Sequence, residues 1–188
     1  MNLHPKSTKA SKIASSKLIS PNIIDIEASG FGSSSYPIEV GVITSDGRRF
    51  CRLIKPLDSW THWDEHAQTL HGISRDILDK HGQEATRVCM QLNAFLQNAT
   101  AYSDGWTVDS SWITRLFAEA GVKMTFHVSP LELILNEEQM SLWHKVKQSM
   151  MRRDNADRHR ASNDAKVVQA TYLKTREMIN MSAVDLHH

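Results

Sequence analysis

The sequence is poor in several features, and each shortage removes a class of protein. Only two cysteines occur, Cys51 and Cys89, and they have neither metal-ligand nor redox spacing. A disulfide framework is therefore excluded, and a reducing compartment is expected. No apolar run approaches the roughly 20 residues of a membrane span, and the first twenty residues lack the apolar centre of a signal peptide. A cytoplasmic protein is the expectation that follows. The formal net charge is only +1, which argues against a uniformly basic coat for nucleic acid. No internal repeat and no second domain are visible.

What is present suits one globular domain: 188 residues with a hydrophobic fraction of 40%, enough for a substantial core. Residues 1–20 hold four lysines, no acids and many serines, the composition of a mobile basic arm; residues 21–182 then form the single domain. Strands are expected near 22–28, 37–44 and 48–55, with Ser45-Asp46-Gly47 as a turn between the last two. A long irregular stretch follows. A helix is expected near 85–99 with Val88, Leu92, Phe95 and Leu96 on one face. Ala101-Tyr102-Ser103 reads as a short strand, and residues 125–128 as another. Ser129-Pro130-Leu131-Glu132 has the pattern of a capped helix start. Helical patterns then run to about residue 153, and a last helix spans roughly 163–180. Three strands followed by alternating helices and strands imply an α/β fold with a mixed central sheet flanked by helices.

Chemistry concentrates in five residues. Asp25 and Glu27 lie in the β-branched run Ile23-Ile24-Asp25-Ile26-Glu27-Ala28, bounded by Pro21-Asn22 and Ser29-Gly30. Side chains alternate along a strand, so both carboxylates face the same way. Two such acids repel, and burial adds to the cost, so one is protonated or a cation neutralises both. Mg²⁺ and similar hard cations prefer carboxylate oxygens. Ser162 or Asn163 is placed to cap the last helix, with Asp164 in its first turn. Asp164, Val168 and Tyr172 recur every four residues, which puts the acid on the stripe facing the core. His159, with an ordinary pKa near 6.5, is able to take a proton from water at neutral pH. Asp109 precedes the amphipathic pattern of Trp112, Ile113, Leu116, Phe117 and Ala120. Each has a second reading when taken singly: Asp109 as a helix cap, Asp164 as a complement to the helix dipole, His159 as a surface residue.

Together these residues resemble the DEDDh 3′-to-5′ exonucleases, which include proofreading subunits of DNA polymerases, RNase T and the oligoribonucleases. The resemblance covers roughly residues 23–172. It rests on Asp25-Ile26-Glu27-Ala28-Ser29-Gly30-Phe31, on the strand Ile38 to Ile43, on Leu70-His71-Gly72-Ile73, and on the closing His-x4-Asp of His159 and Asp164. The middle motif departs from the family's His-Asn-x-x-Phe-Asp. Here it reads Asp104-Gly105-Trp106-Thr107-Val108-Asp109, which keeps the acid, changes the polar residues before it and leaves Asp104 as a rival ligand. Asp109 is preferred for its position at the helix start and the apolar stripe that follows it.

The resemblance implies an RNase H-like fold with a sheet of about five strands. It implies two Mg²⁺ or Mn²⁺ ions held by Asp25, Glu27, Asp109 and Asp164, with Asp25 shared between them and His159 as general base. The implied reaction is hydrolysis of the terminal phosphodiester of single-stranded RNA or DNA, releasing nucleoside 5′-monophosphates. Ala28, Gly30, Phe31, Leu70, His71 and Ile73 fall along the substrate, with Phe31, Leu70 and Ile73 either forming a wedge that admits an unpaired 3′ end or packing in the core. A homodimer or a polymerase partner stays open, as does a silent binding module on the same fold.

Two further segments have alternative readings. From Lys145 to Arg160 there are six Lys or Arg against two Asp, which either gather phosphates or form a solvated face. Trp60, His62, Trp63 and His66 either offer rings for bases to stack on or pin their loop to the body. His62 and His66 have the i, i+4 spacing of zinc ligands but lack the His-Glu-x-x-His motif, so zinc is not expected there.

Overall fold

The computed structural model describes residues 20–153 and 160–185. Five strands form one mixed sheet in the order β3-β2-β1-β4-β5. They are β1 (Asn22–Ala28), β2 (Pro37–Ile43), β3 (Arg49–Leu53), β4 (Thr100–Ser103) and β5 (His127–Pro130). The meander β1-β2-β3 is antiparallel, whereas β4 runs parallel to β1 and β5 parallel to β4. The helices are α1 (Glu65–His71), α2 (Arg75–His81), α3 (Ala85–Leu96), α4 (Trp106–Glu119), α5 (Glu137–Arg153) and α6 (Ala161–Asp185). Among the described residues no helix is long and apolar enough to cross a membrane.

Both faces of the sheet are covered, and strand parity decides what meets what. Ile24 and Ile26 of β1 pack in a large core with Val88 and Leu92 of α3 and Ile113 and Leu116 of α4. Ile23 points the other way, into a smaller core with Ala165, Val168 and Tyr172 of α6. Asp25 and Glu27 share the parity of Ile23 and so face α6. Gly41 of β2 stands opposite Asp25 in the register. A Cβ there would lie 2.1 Å from the Ala161 carbonyl carbon and the Ser162 nitrogen, so only glycine lets the first turn of α6 rest on the sheet.

Several expectations need correction. The stretch after β3 is not irregular throughout: it holds α1 and α2, each of seven residues and too short to show a helical period. Local capping stabilises them, with Asp64 Oδ1 accepting from the His66 N–H at 2.8 Å and Ser74 Oγ from the Ile77 N–H at 3.3 Å. Residues 129 and 130 do not open a helix; they extend β5 and pair with Tyr102 and Ser103. Proline is tolerated at the end of an edge strand, and only a 3₁₀ turn, Leu131–Ile134, follows. The helix expected to run to residue 99 stops at Leu96, where Gln97 takes a positive φ of 52°. The last helix begins earlier and ends later than its pattern suggested. Ser162 and Asn163 lie inside it, and both accept hydrogen bonds from the Arg49 guanidinium, at 3.0 and 2.6 Å.

Trp60 pins the loop after β3. It is 3% exposed, stacks on Tyr36 with ring centroids 5.0 Å apart and donates to Glu119 at 2.5 Å. Trp60→Ala is expected to cost about 3–5 kcal/mol in urea unfolding; a loss below about 1 kcal/mol would show that the ring is not anchored as described.

Candidate metal centre

Three elements deliver the acids. β1 supplies Asp25 and Glu27, and the first turn of α6 supplies Asp164; one carboxylate oxygen from each lies within 4.8 Å of the others. Asp109 comes from the first turn of α4, where it is 4% exposed. It does not cap that helix, since Gly105 holds the cap position. Its carboxylate instead accepts a hydrogen bond from Ser103 Oγ at 2.5 Å, and that hydroxyl in turn accepts from the Gly105 N–H at 2.9 Å. Because β4 runs beside β1, the end of β4 sets this bond close to Asp25.

The four acids line one cleft of about 290 Å³. Ala28, Gly30, Phe31, Leu70 and His71 line it as well, as do Ala67, Gly105, Val108 and Trp112, which the sequence did not single out. Phe31 is 64% exposed and Leu70 40%, whereas Ile73 is 2% exposed and belongs to the large core. Ile73 is therefore not part of a wedge; its N–H donates to His71 Nδ1 at 3.0 Å and orients that ring. His159 lies outside the described residues.

Burial is the largest influence on each titrating acid. It pushes Asp25 well above the usual carboxylate range, and the charges of Asp109, Glu27, Asp164 and Asp104 act in the same direction. Glu27 is raised from 4.5 to about 8 by burial, then by Asp164, Glu39 and Asp109. Burial raises Asp109 to about 7, although the Ser103 hydrogen bond opposes it. A cluster of this kind holds protons at neutral pH unless a cation replaces them. All-oxygen donors fit Mg²⁺ or Mn²⁺ better than softer metals.

Two neighbouring acids have cations of their own. Asp104 forms an ion pair with Lys147 and lines a different cleft, with Leu131, Glu132 and Trp143. Asp104 is thus engaged elsewhere, and of the two acids of the middle motif Asp109 is the one that lines the cleft of Asp25. Glu39, fully buried, is paired with Arg160. Lys147 and Arg160 are accordingly engaged in ion pairs rather than spread on a phosphate-gathering face. The aromatic stretch also serves the body of the protein: Trp60 is anchored as above, and Trp63 donates to Gln68 at 2.9 Å beneath the Arg75 guanidinium. His62 packs against Gly30, where a Cβ would meet its ring at 2.6 Å. His66 is exposed, and among the described residues the grouping with metal-ligand spacing is Asp25, Glu27 and Asp164.

No family model matches the chain, and no curated protein matches it. Solved structures do. Escherichia coli exonuclease I in complex with a dA16 oligonucleotide superposes with a TM-score of 0.60 at 12% identity, covering 88% of this chain and 43% of that one. Exonuclease I from Methylocaldum szegediense gives 0.62 at 12% identity, over 84% and 40%. A 3′-exonuclease described in 3′-end-specific recognition of a histone mRNA stem-loop gives 0.60 at 14% identity, over 85% and 82%. The chain thus spans less than half the length of the exonuclease I chains it matches. At these identities the likeness establishes the fold, which is RNase H-like.

The raised carboxyl of Glu27 sets a sign for pH dependence. Between about 4.5 and about 8 the folded chain keeps a proton that the unfolded chain has lost, so stability falls as pH rises through that window. Without metal, Tm is expected to drop from about pH 5 to about pH 8, and Mn²⁺ to raise it more at the upper end, where fewer protons compete. A metal-free Tm that climbs over this range, or a Mn²⁺ effect that is equal at both ends, would contradict the account.

Proposed function

We propose that this chain is a metal-dependent 3′-to-5′ exonuclease of the DEDDh kind, acting on single-stranded ends of RNA or DNA. The observation that carries the reading is the convergence of Asp25, Glu27 and Asp164 within 4.8 Å, with Asp109 in the same cleft, while Asp104 and Glu39 are each matched by a cation. Four carboxylates converging on one cleft would suit a pair of Mg²⁺ or Mn²⁺ ions. Such a pair, when bound, supplies an activated water and stabilises charge on the leaving 3′ oxygen.

The chain's own groups supply the rest. Asp25, Glu27, Asp109 and Asp164 would hold the ions in place. His159, on the residue before Arg160, takes the proton of the attacking water. Phe31 and Leu70 present exposed apolar surface in the cleft, where an unpaired terminal base can rest and a paired one is blocked; His71 and Trp112 also line it. Proteins of the same fold support this substrate class: exonuclease I is known with dA16 and dT13 oligonucleotides, and the 3′-exonuclease recognises the 3′ end of a histone mRNA stem-loop.

Digestion of matched 5′-labelled RNA and DNA oligonucleotides with Mg²⁺, Mn²⁺ or EDTA tests the proposal. The expected result is a metal-dependent ladder shortening from the 3′ end, lost in Asp25→Ala and slowed about 10²- to 10⁴-fold in His159→Ala. Blunt duplex should be cut more slowly than single strand. Binding without cleavage would sink the enzyme reading and leave a silent nucleic-acid-binding module.

A further inference from the structure

The start of α6 is held from another part of the sheet. A helix leaves its first N–H groups without intrahelical partners, and a nearby side chain usually accepts one of them. Here the acceptor comes from 122 residues away: Glu39 Oε2 accepts from the Ala161 N–H at 2.9 Å. The same carboxylate takes Arg160 Nε at 3.0 and 3.1 Å to its two oxygens and the terminal guanidinium nitrogen at 2.5 Å. Cys51 Sγ adds a bond at 3.3 Å. Glu39 is completely buried and stands opposite Glu27 in the β1–β2 register. Its neighbour on that face is Gly41, opposite Asp25, on which the Ala161–Ser162 backbone rests.

The strand that pairs with the metal-centre acids therefore also seats the helix that brings the third acid. The Asp164 N–H closes the first turn onto the Arg160 carbonyl at 3.0 Å. The path from Glu39 to Asp164 is thus one helical turn with little slack. We propose that Glu39 is a positioning residue of the centre: through Arg160 and Ala161 it fixes the first turn of α6 on β2, and so sets Asp164 against Asp25 and Glu27. The inference rests on the reading of these acids as a divalent-cation site.

Loss of a residue that orients metal ligands typically costs about 10- to 100-fold in metal affinity or activity. The test is Mn²⁺ binding by titration calorimetry, together with cleavage rate, for the wild-type chain, Glu39→Gln, Arg160→Lys and Val168→Ala. Glutamine keeps the shape but loses the charge, and lysine cannot span both oxygens as guanidinium does. Val168→Ala loosens the packing of α6 beyond its first turn, and serves as a control for stability alone. Expected are Mn²⁺ affinities about 10- to 100-fold weaker in Glu39→Gln and Arg160→Lys, with Val168→Ala close to wild type. If Glu39→Gln does not fold, Arg160→Lys carries the test. Unchanged Mn²⁺ affinity in the folded variants, even with a lowered Tm, would overturn the inference and leave Glu39 as a helix cap. A wild-type chain that neither binds Mn²⁺ nor cleaves would overturn the centre itself, and this inference with it.

Discussion

The structure turns on the repulsion among carboxylates gathered at Asp25. Oxygens within 4.8 Å of one another repel by about 3 to 4 kcal/mol per charged pair at an effective dielectric near 20, and burial adds to the cost of ionisation. No fold keeps such a group without compensation. Protons supply it in the metal-free chain: burial first and then neighbouring acids push Glu27 up to about 8, and burial with the charge of Asp104 pushes Asp109 up to about 7. Every neighbouring element can be read by what it does to this charge. Lys147 and Arg160 neutralise the two outlying acids, Asp104 and Glu39, and the Ser103 hydroxyl stabilises the ionised form of Asp109.

The sheet brings the acids together by simple geometric means. Alternation along β1 puts two carboxylates on the face toward α6 and two isoleucines into the opposite core. Parallel pairing of β4 with β1 carries Ser103, and through it Asp109, to the same edge. A glycine opposite Asp25 removes the side chain that would otherwise hold α6 away. The first turn of that helix then lies within reach of Glu39 and Arg49. Packing and electrostatics are coupled at this point, since the bonds that seat the helix also determine where Asp164 points.

Much of this was legible in the sequence, for identifiable reasons. The β-branched run around Asp25 marked β1 with its ends at 22 and 28, and the i, i+4 recurrence of Asp164, Val168 and Tyr172 marked the face of α6. Long elements with a clear period were readable; α1 and α2, two turns each, were not. Residues 129–130 carried a helix-start pattern that pairing with β4 overrode. The choice between Asp104 and Asp109 rested on helix position and the apolar stripe that follows Asp109, because the Lys147 partner of Asp104 lies 43 residues away. Glu39 was invisible as anything but a strand residue, and Trp112 looked like one more apolar helix position. Both owe their place to contacts between distant parts of the chain, which no local pattern records.

The central claim is that these four carboxylates form a cation site, and a Mn²⁺-soaked crystal measured at the manganese absorption edge tests it most directly. The account predicts anomalous density between Asp25, Glu27 and Asp164, and a second peak on the Asp109 side of Asp25 about 4 Å away. Density at Asp104 or Glu39 instead, or none near Asp25 at saturating Mn²⁺, would contradict it.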